Sequence, residues 1–407
     1  MAALLRLHAR RIAATRAYAV AQDNNHSVSE PAGLLACAWG LGEAATARHA
    51  ARDLARALAR LVAEDGGFAQ VSTGYHRLLL DVLSTLEWLR RRHAAPPLPA
   101  PFAERAAAAA RWLARLVDPP TGATPRLGHQ DGSALADLSL AGPADSRGSA
   151  ERAARLFLGA SAGFPDDPGC AWLALPPTPP LAAEAGWTAT GTRGWHRGTA
   201  RALLRTGPLR FRPGQADLLH LDLWHGPLNL LRDTGTGAYN PPHDREWWAP
   251  HFASAAAHNL ILFDDTEPMP RAGRFLLARW VATEPLPDGG ATRDARGNRH
   301  ARRVHPGAAE WSVEDRVSGP FRALALRWHL APGPWQLEGH ALQGPAARIA
   351  LSADAPLRLS LEEAWESPAY GEAQRIPVLV ARAAAPIRAI TTRITFRAGC
   401  TEVKTDA

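Results

Sequence analysis

The stretch GQADLLHLDLWHGPLNLLRDTGTGAYN, residues 214–240, decides how the rest of the chain is read. Two apolar runs of strand length meet at His-Gly-Pro and end on a Gly-Thr-Gly turn, which is hairpin patterning rather than helical patterning. A strand buries one face, so the Gln, Asp and His residues within it need a reason to be there. At period two, Gln215, Asp217 and Leu219 share one face while His220, Asp222 and Trp224 share the other. This spacing predicts that Gln215 and Asp217 lie at an open sheet end, with Leu219, Leu221 and Leu223 entering a core. His220 and Asp222, on the opposite face, read as an ion pair or a surface pair.

Working outward, the same β patterning continues to the C-terminus. Runs such as RALLRTG, NLILFDD, ALALRWHLA and ITTRITFRA lie between Gly, Pro and Asp turns, as antiparallel sandwich strands do. Toward the N-terminus the period changes. Leu, Ala and Trp recur at three- and four-residue spacing near 28–45, 48–63, 75–93, 101–117 and 150–160. Turn chemistry interrupts them at EDGG (64–67), AAPPLPAP (94–101) and DPPTGATP (118–125). The expectation is an α+β chain of two domains: α-hairpins over residues 1–165, a Pro-rich linker over 166–185, and a β-sandwich over 186–407.

Composition narrows the function. At 407 residues the chain is longer than one hydrophobic core usually organises, and 46% hydrophobic with 21% charged residues excludes disorder. The net charge is +7, carried almost wholly by Arg, since Lys404 is the single lysine. Arg forks hold carboxylates and sulfates in pairs, so an acidic polymer is the expected partner. No basic cluster interleaved with aromatics appears, which sets nucleic acid aside. Cys37, Cys170 and Cys400 are odd in number and far apart, against a disulfide framework or a Cys-ligated zinc. No apolar run reaches the roughly 20 residues of a membrane-spanning helix. The opening MAALLRLHARRIAATRAYAVAQ has many Arg and no acid, superficially like a transit peptide, and reads as an amphipathic helix.

Phosphate-binding loops, nucleophile elbows and HExxH are absent, so the chemistry must come from scattered polar clusters. In DNNHSVSEPAGLL, Asn24, Asn25 and His26 precede a helical run, with Glu30 one turn beyond His26 on the same face. The alternative for these asparagines is helix capping. GGFAQVSTGYHRLLL supplies Gln70, Tyr75 and His76, and PRLGHQDGSALADL supplies His129, Gln130 and Asp131. In the β half, Asp233 precedes the Gly-Thr-Gly turn, Tyr239 follows it, and His258 with Asn259 opens a later strand. Asp and His at converging strand ends suit a metal, while turn capping and core hydrogen bonding are the alternatives.

In order, NNH, YH, GxxDG, RxGPLxxxPxxADxLxxxL, LLxDxGTxxYN, SxxAHNxxxxD and SPAYG (367–371) resemble the heparinase II/III-like polysaccharide lyases. The resemblance spans roughly residues 10–400 and is strongest over Arg205–Asp265. It implies an (α/α) toroid, here incomplete at its start, followed by an antiparallel β-sandwich. It also implies β-elimination on a uronate-containing acidic polysaccharide lying between the two, in the periplasm or cell envelope, although this chain shows no signal peptide. The resemblance places Asn25 and His26 on the uronate carboxyl group, with His26 as base and Tyr75 as the proton-transferring phenol. Tyr239, the nearest phenol on the sandwich side, is the further catalytic residue the resemblance implies. Asn24, Glu30, Gln70, His76, Gln130, Asp131 and Gln215 are then the expected substrate contacts.

The family's structural zinc is held by a strand His, an Asp of the next strand and the His of AHN. Asp233 and His258 match the last two, but Gln215 stands where the first His belongs, and Pro213 replaces a further His. Amide Gln215 is a poor zinc ligand and is expected to hydrogen-bond Asp233 or His258 instead. These replacements also admit a glycan-binding protein that kept the fold without the chemistry. A hydrolase using Asp131 and Glu30 as paired carboxylates is a third reading. The oligomeric state is not encoded in any of these patterns.

Overall fold

A computed structural model describes residues 1–135, 137–209, 213–273 and 275–397; Cys400 and Lys404 lie outside the described residues. The chain forms two compact units. One comprises residues 1–124 and 132–182, and the other comprises 125–131 and 183–407.

The first unit is helical: α1 (Ala2–Gln22), α2 (His26–Leu41), α3 (Ala44–Leu61), α4 (Thr73–Arg92), α5 (Phe102–Ala114), α6 (Arg147–Phe157) and a short α7 (Pro168–Trp172). Each of α2 to α6 matches a segment of 3.6-residue periodicity. Their stripes meet inside, with Leu54 and Leu58 of α3, Leu80 and Leu83 of α4, and Ala109 and Leu113 of α5 all fully buried. Ser72 caps α4 by accepting the Tyr75 N–H at 3.1 Å. The opening helix departs from its amphipathic reading: Ala19 is the buried residue of α1, and Leu4, Tyr18 and Val20 are exposed. Within the stretch expected as linker, α7 packs on α6, with Asp167 capping it and paired to Arg152 at 3.1 Å. Among the described residues no helix is long and apolar enough to cross a membrane.

The second unit is antiparallel β. Strands β1 (Gly186–Ala189), β2 (Gly191–Arg197), β3 (Ala200–Gly207), β4 (Leu221–His225) and β5 (Leu228–Leu231) form a five-stranded meander. An eight-stranded sheet and a four-stranded sheet complete the layers. One core joins all three, with Leu221, Leu223 and Leu231 from the meander, Trp311, Ile349 and Ile394 from the large sheet, and Leu326, Trp328 and Leu379 from the small one. Alternation is the cause: in the Glu310–Ser318 strand every second residue is buried.

Period two fails at the quoted stretch. Within residues 214–225 only Leu221–His225 is strand; the chain turns at Leu218 and Leu219, with Leu219 at φ 66° and His220 N–H donating to Asp217 O at 2.9 Å. The left-handed residue breaks the alternation, so faces assigned across it do not carry over.

Arg302 fixes this kink from the large sheet. Its guanidinium donates to Asp315 through Nε at 2.7 Å and Nη2 at 3.1 Å, and through Nη1 to the carbonyls of Leu219 and Asn259. It also lies 4.6 Å over the Trp328 ring. His300 donates Nε2–H to the same carboxylate at 2.6 Å. Burial works to raise the Asp315 pKa, but the Arg302 charge and the His300 bond override it and hold the carboxyl at about 2.

Replacing Asp315 with Ala leaves a buried guanidinium unpaired and is expected to cost about 3–5 kcal/mol. Chemical denaturation checks this. The double variant D315A/R302M should recover part of that loss, since no buried charge is then left alone.

Candidate active site

The helical candidates gather at the starts of α2 and α4. Asn25 N–H donates to Gln70 Oε1 at 2.8 Å, which ties the beginning of α2 to the segment leading into α4. Asn24 Oδ1 accepts the His26 N–H at 3.0 Å, so this asparagine satisfies an N–H at the helix start from the residue before the cap, close to the capping alternative named for it. Asn25 makes no such capping bond. His26 is half-exposed with Nδ1 3.9 Å from Glu30 Oε1, the one-turn pairing expected from their spacing. Glu30 also accepts from Thr15 Oγ1 at 3.4 Å. Tyr75 is half-buried in the first turn of α4.

His76 does not belong with them. Its ring is buried, stacks on Trp112 at 4.3 Å and donates Nε2–H to Ala109 O at 2.8 Å. Burial pushes its pKa down to about 4. The adjacent position on a helix points to the core, so the expected substrate contact is corrected to a packing role.

On the sandwich, residues 125–131 are bound into the second unit. Arg126 donates to the buried Glu366 at 2.7 Å, and Gln130 N–H donates to Thr236 Oγ1 at 2.9 Å. Gln130 and Asp131 are half-buried. The Gly-Thr-Gly turn docks on SPAYG: Ser367 N–H donates to Thr234 O at 2.7 Å, and Gly371 N–H to Gly237 O at 2.8 Å. A Cβ at Gly235, whose φ is 83°, would lie 2.4 Å from the Ser367 carbonyl, so only glycine permits this approach. Tyr239, half-buried, follows at the end of the turn.

Behind the turn lies a buried polar cluster that period-two reasoning had split. Asp233 Oδ2 is 3.5 Å from His258 Nε2 and 3.8 Å from His220 Nε2, and His220 Nε2 is 3.9 Å from Asp222 Oδ2. Of the two readings of His220 and Asp222, an ion pair or a surface pair, burial excludes the second: both side chains lie in the core, brought round by the turn at Leu219. Asn259 organises it: its N–H donates to His220 Nδ1 at 3.0 Å, its Nδ2 to Leu221 O at 3.0 Å, and its Oδ1 accepts the His329 N–H at 2.6 Å. His220, Asp222 and His329 were not singled out as site residues. The HLD triplet within an apolar run was the available signal.

Gln215 is corrected on two counts. It is 2% exposed, which removes it from substrate contact, and its Nε2 donates to Gly235 O at 2.9 Å and Phe252 O at 3.3 Å rather than pairing with Asp233 or His258. Asp233 Oδ1 accepts the Gly235 N–H at 2.8 Å, the turn-capping alternative.

The resemblance implies a zinc at this cluster, and its donor set fits one only in part. His258 Nδ1–H donates to Ser254 O at 2.8 Å, leaving a lone pair on Nε2, which suits a metal. His220 has the reverse tautomer: its Nδ1 accepts a backbone N–H, so the neutral ring carries its proton on Nε2, 3.8 Å from Asp233 Oδ2 and without a hydrogen-bond partner among the described residues, and offers no lone pair there. One imidazole, one carboxylate and an amide oxygen fall short of a zinc set, and among the described residues no three His, Cys, Asp or Glu side chains form a group able to hold a metal. No step is therefore assigned to zinc.

Burial raises the Asp233 pKa to about 7, with His220 opposing. From the ordinary carboxylate value of 3.8 up to about 7 the folded chain keeps a proton that the unfolded chain has lost. Its stabilising contribution is therefore complete at low pH and lost as pH rises through about 7. Asp233→Asn, isosteric and uncharged, should gain melting temperature relative to the native chain as pH rises over that range. Paired melts at several pH values check it, and a pH-independent difference contradicts it.

Comparison with known proteins follows the same division. The model of the family described as "Heparinase II/III-like, C-terminal" matches residues 176–404. Among solved structures, a heparinase III, the BT4657 gene product, is similar with TM-score 0.73 at 15% identity, covering 92% of this chain and 59% of its own. The heparan sulfate lyase HepC from Pedobacter heparinus gives 0.72 at 14%, covering 93% and 61%. A chondroitin AC lyase from Streptomyces coelicolor A3, solved with chondroitin sulphate, gives 0.56 at 13%, covering 93% and 61%. The chain thus spans about three fifths of the length of these proteins, and at such identities the likeness establishes the fold. No curated protein matches by sequence.

Proposed function

We propose, since this chain belongs to the heparinase II/III-like family, that it cleaves a uronate-containing acidic polysaccharide by β-elimination. The observation that carries the reading is the tie between Asn25 and Gln70, which holds the start of α2 against the segment that caps α4. Through it, a half-exposed imidazole and a phenol sit on two neighbouring helix starts.

The chemistry sets the roles. A proton α to a carboxylate is weakly acidic until the carboxylate charge is met by donors. The Asn25 side chain, not used in capping, supplies such a donor. His26 accepts the C5 proton, the electron pair left behind forms the C4–C5 double bond, and the C4–oxygen bond breaks. Tyr75 gives its proton to the departing oxygen, which leaves as a hydroxyl. Arg-rich positive charge favours a polyanionic substrate over a neutral one.

A second reading, glycan binding without cleavage, is favoured by one observation. Gln215 and Pro213 stand where the resemblance expects histidines, and Gln215 is locked into backbone bonds.

Elimination creates a double bond conjugated to a carboxylate, so turnover appears as new ultraviolet absorbance. Native protein should produce it on at least one uronate polymer, and His26→Ala or Tyr75→Phe should each lower kcat by about 10²–10⁴-fold. Calorimetric binding with no absorbance change on any polymer would select the binding protein instead.

A further inference from the structure

Outside its cores, the sandwich gathers four rings from four separate segments: His129, Tyr239, Phe275 and Tyr370. Ring centroids are 5.4 Å apart for His129 and Tyr239, 5.6 Å for His129 and Phe275, 5.2 Å for Tyr239 and Phe275, and 5.3 Å for Tyr239 and Tyr370. Every pair is edge-to-face, the favoured geometry. The patch faces solvent, with Phe275 42% and Tyr370 40% exposed and the other two half-buried.

Its construction is specific. Tyr370 Oη accepts the Tyr239 N–H at 3.0 Å, which binds SPAYG to the Gly-Thr-Gly turn. Gly214 lets the imidazole in, because a Cβ there would fall 2.5 Å from His129 Nδ1. Arg271, anchored through Nη1 to Ala249 O, stands close enough that its charge, after burial, helps to push the His129 pKa down to about 4. The histidine is therefore neutral near pH 7.

Rings edged with phenol hydroxyls, a neutral imidazole and a guanidinium match a charged sugar: the apolar C–H face of a pyranose packs on a ring, its hydroxyls pair with polar tips, and its anion pairs with Arg. We infer that His129, Tyr239, Phe275 and Tyr370 form a binding subsite for an acidic pyranose, with Arg271 taking its carboxylate or sulfate. This rests on the acidic-polysaccharide reading above, and adds a binding surface on the sandwich that the elimination step does not use.

The test is titration calorimetry of the full chain with heparan sulfate and chondroitin sulfate tetrasaccharides, beside F275A, Y370F and F275A/Y370A. The expected result is a Kd raised about tenfold or more in the double variant, with raised KM and unchanged kcat. Y370F keeps the ring and should bind nearly as the native chain does. Should the double variant fold poorly, F275A alone, on an exposed hairpin, carries the comparison. Native affinity in the folded variants overturns the subsite while leaving the lyase reading intact. Loss of binding in variants of a chain that binds without eliminating supports the subsite and overturns the lyase reading. A native chain that binds neither tetrasaccharide overturns the subsite as well.

Discussion

A single buried guanidinium holds the functional side of the sandwich in place. Arg302 is fully buried, and its charge is met by Asp315, by two carbonyls and by the face of Trp328. The carbonyls belong to Leu219 and Asn259, the two points where the chain turns into the polar cluster. An unpaired charge at this depth is costly, so the satisfied geometry is strongly preferred over any shifted one. The position of a loop is thereby fixed by the demand of an ion for partners.

From that anchor the rest follows in order. Asn259, held by its carbonyl, spends its amide on Leu221, its carbonyl oxygen on His329 and its backbone N–H on His220. The last bond fixes the His220 tautomer, which leaves a proton on Nε2, 3.8 Å from Asp233, rather than a lone pair for a metal. Of the two imidazoles facing Asp233, only His220 is turned from metal binding by its second nitrogen; the His258 bond to Ser254 O leaves a lone pair on Nε2. Gln215 donates its amide N–H groups to two backbone carbonyls, while its amide oxygen has no protein partner among the described residues.

Much of the fold was legible in the sequence because periodicity is a local property. The stripes of α2 to α6 and the alternation of Glu310–Ser318 each report a face buried along one continuous element. Period two broke down where a non-glycine residue takes a left-handed conformation, as Leu219 does, since no local pattern announces that strain. The same limit explains His76. Its neighbour Tyr75 is half-buried, and only the packing of Trp112 against the ring shows which of the two turns inward. Phe275 carried no signal at all, because its partners come from segments far away in the chain.

By itself the sequence determined two regimes of secondary structure, the ordered motifs that place the chain in its family, and the one-turn spacing of His26 and Glu30. Tertiary structure alone decided which polar side chains are satisfied inside and which remain at the surface. The reason is that hydrogen-bond and charge compensation are settled between distant segments, as Arg126 with Glu366 and Arg302 with Leu219 illustrate. Residue type supplies the donors and acceptors, and the fold chooses their partners.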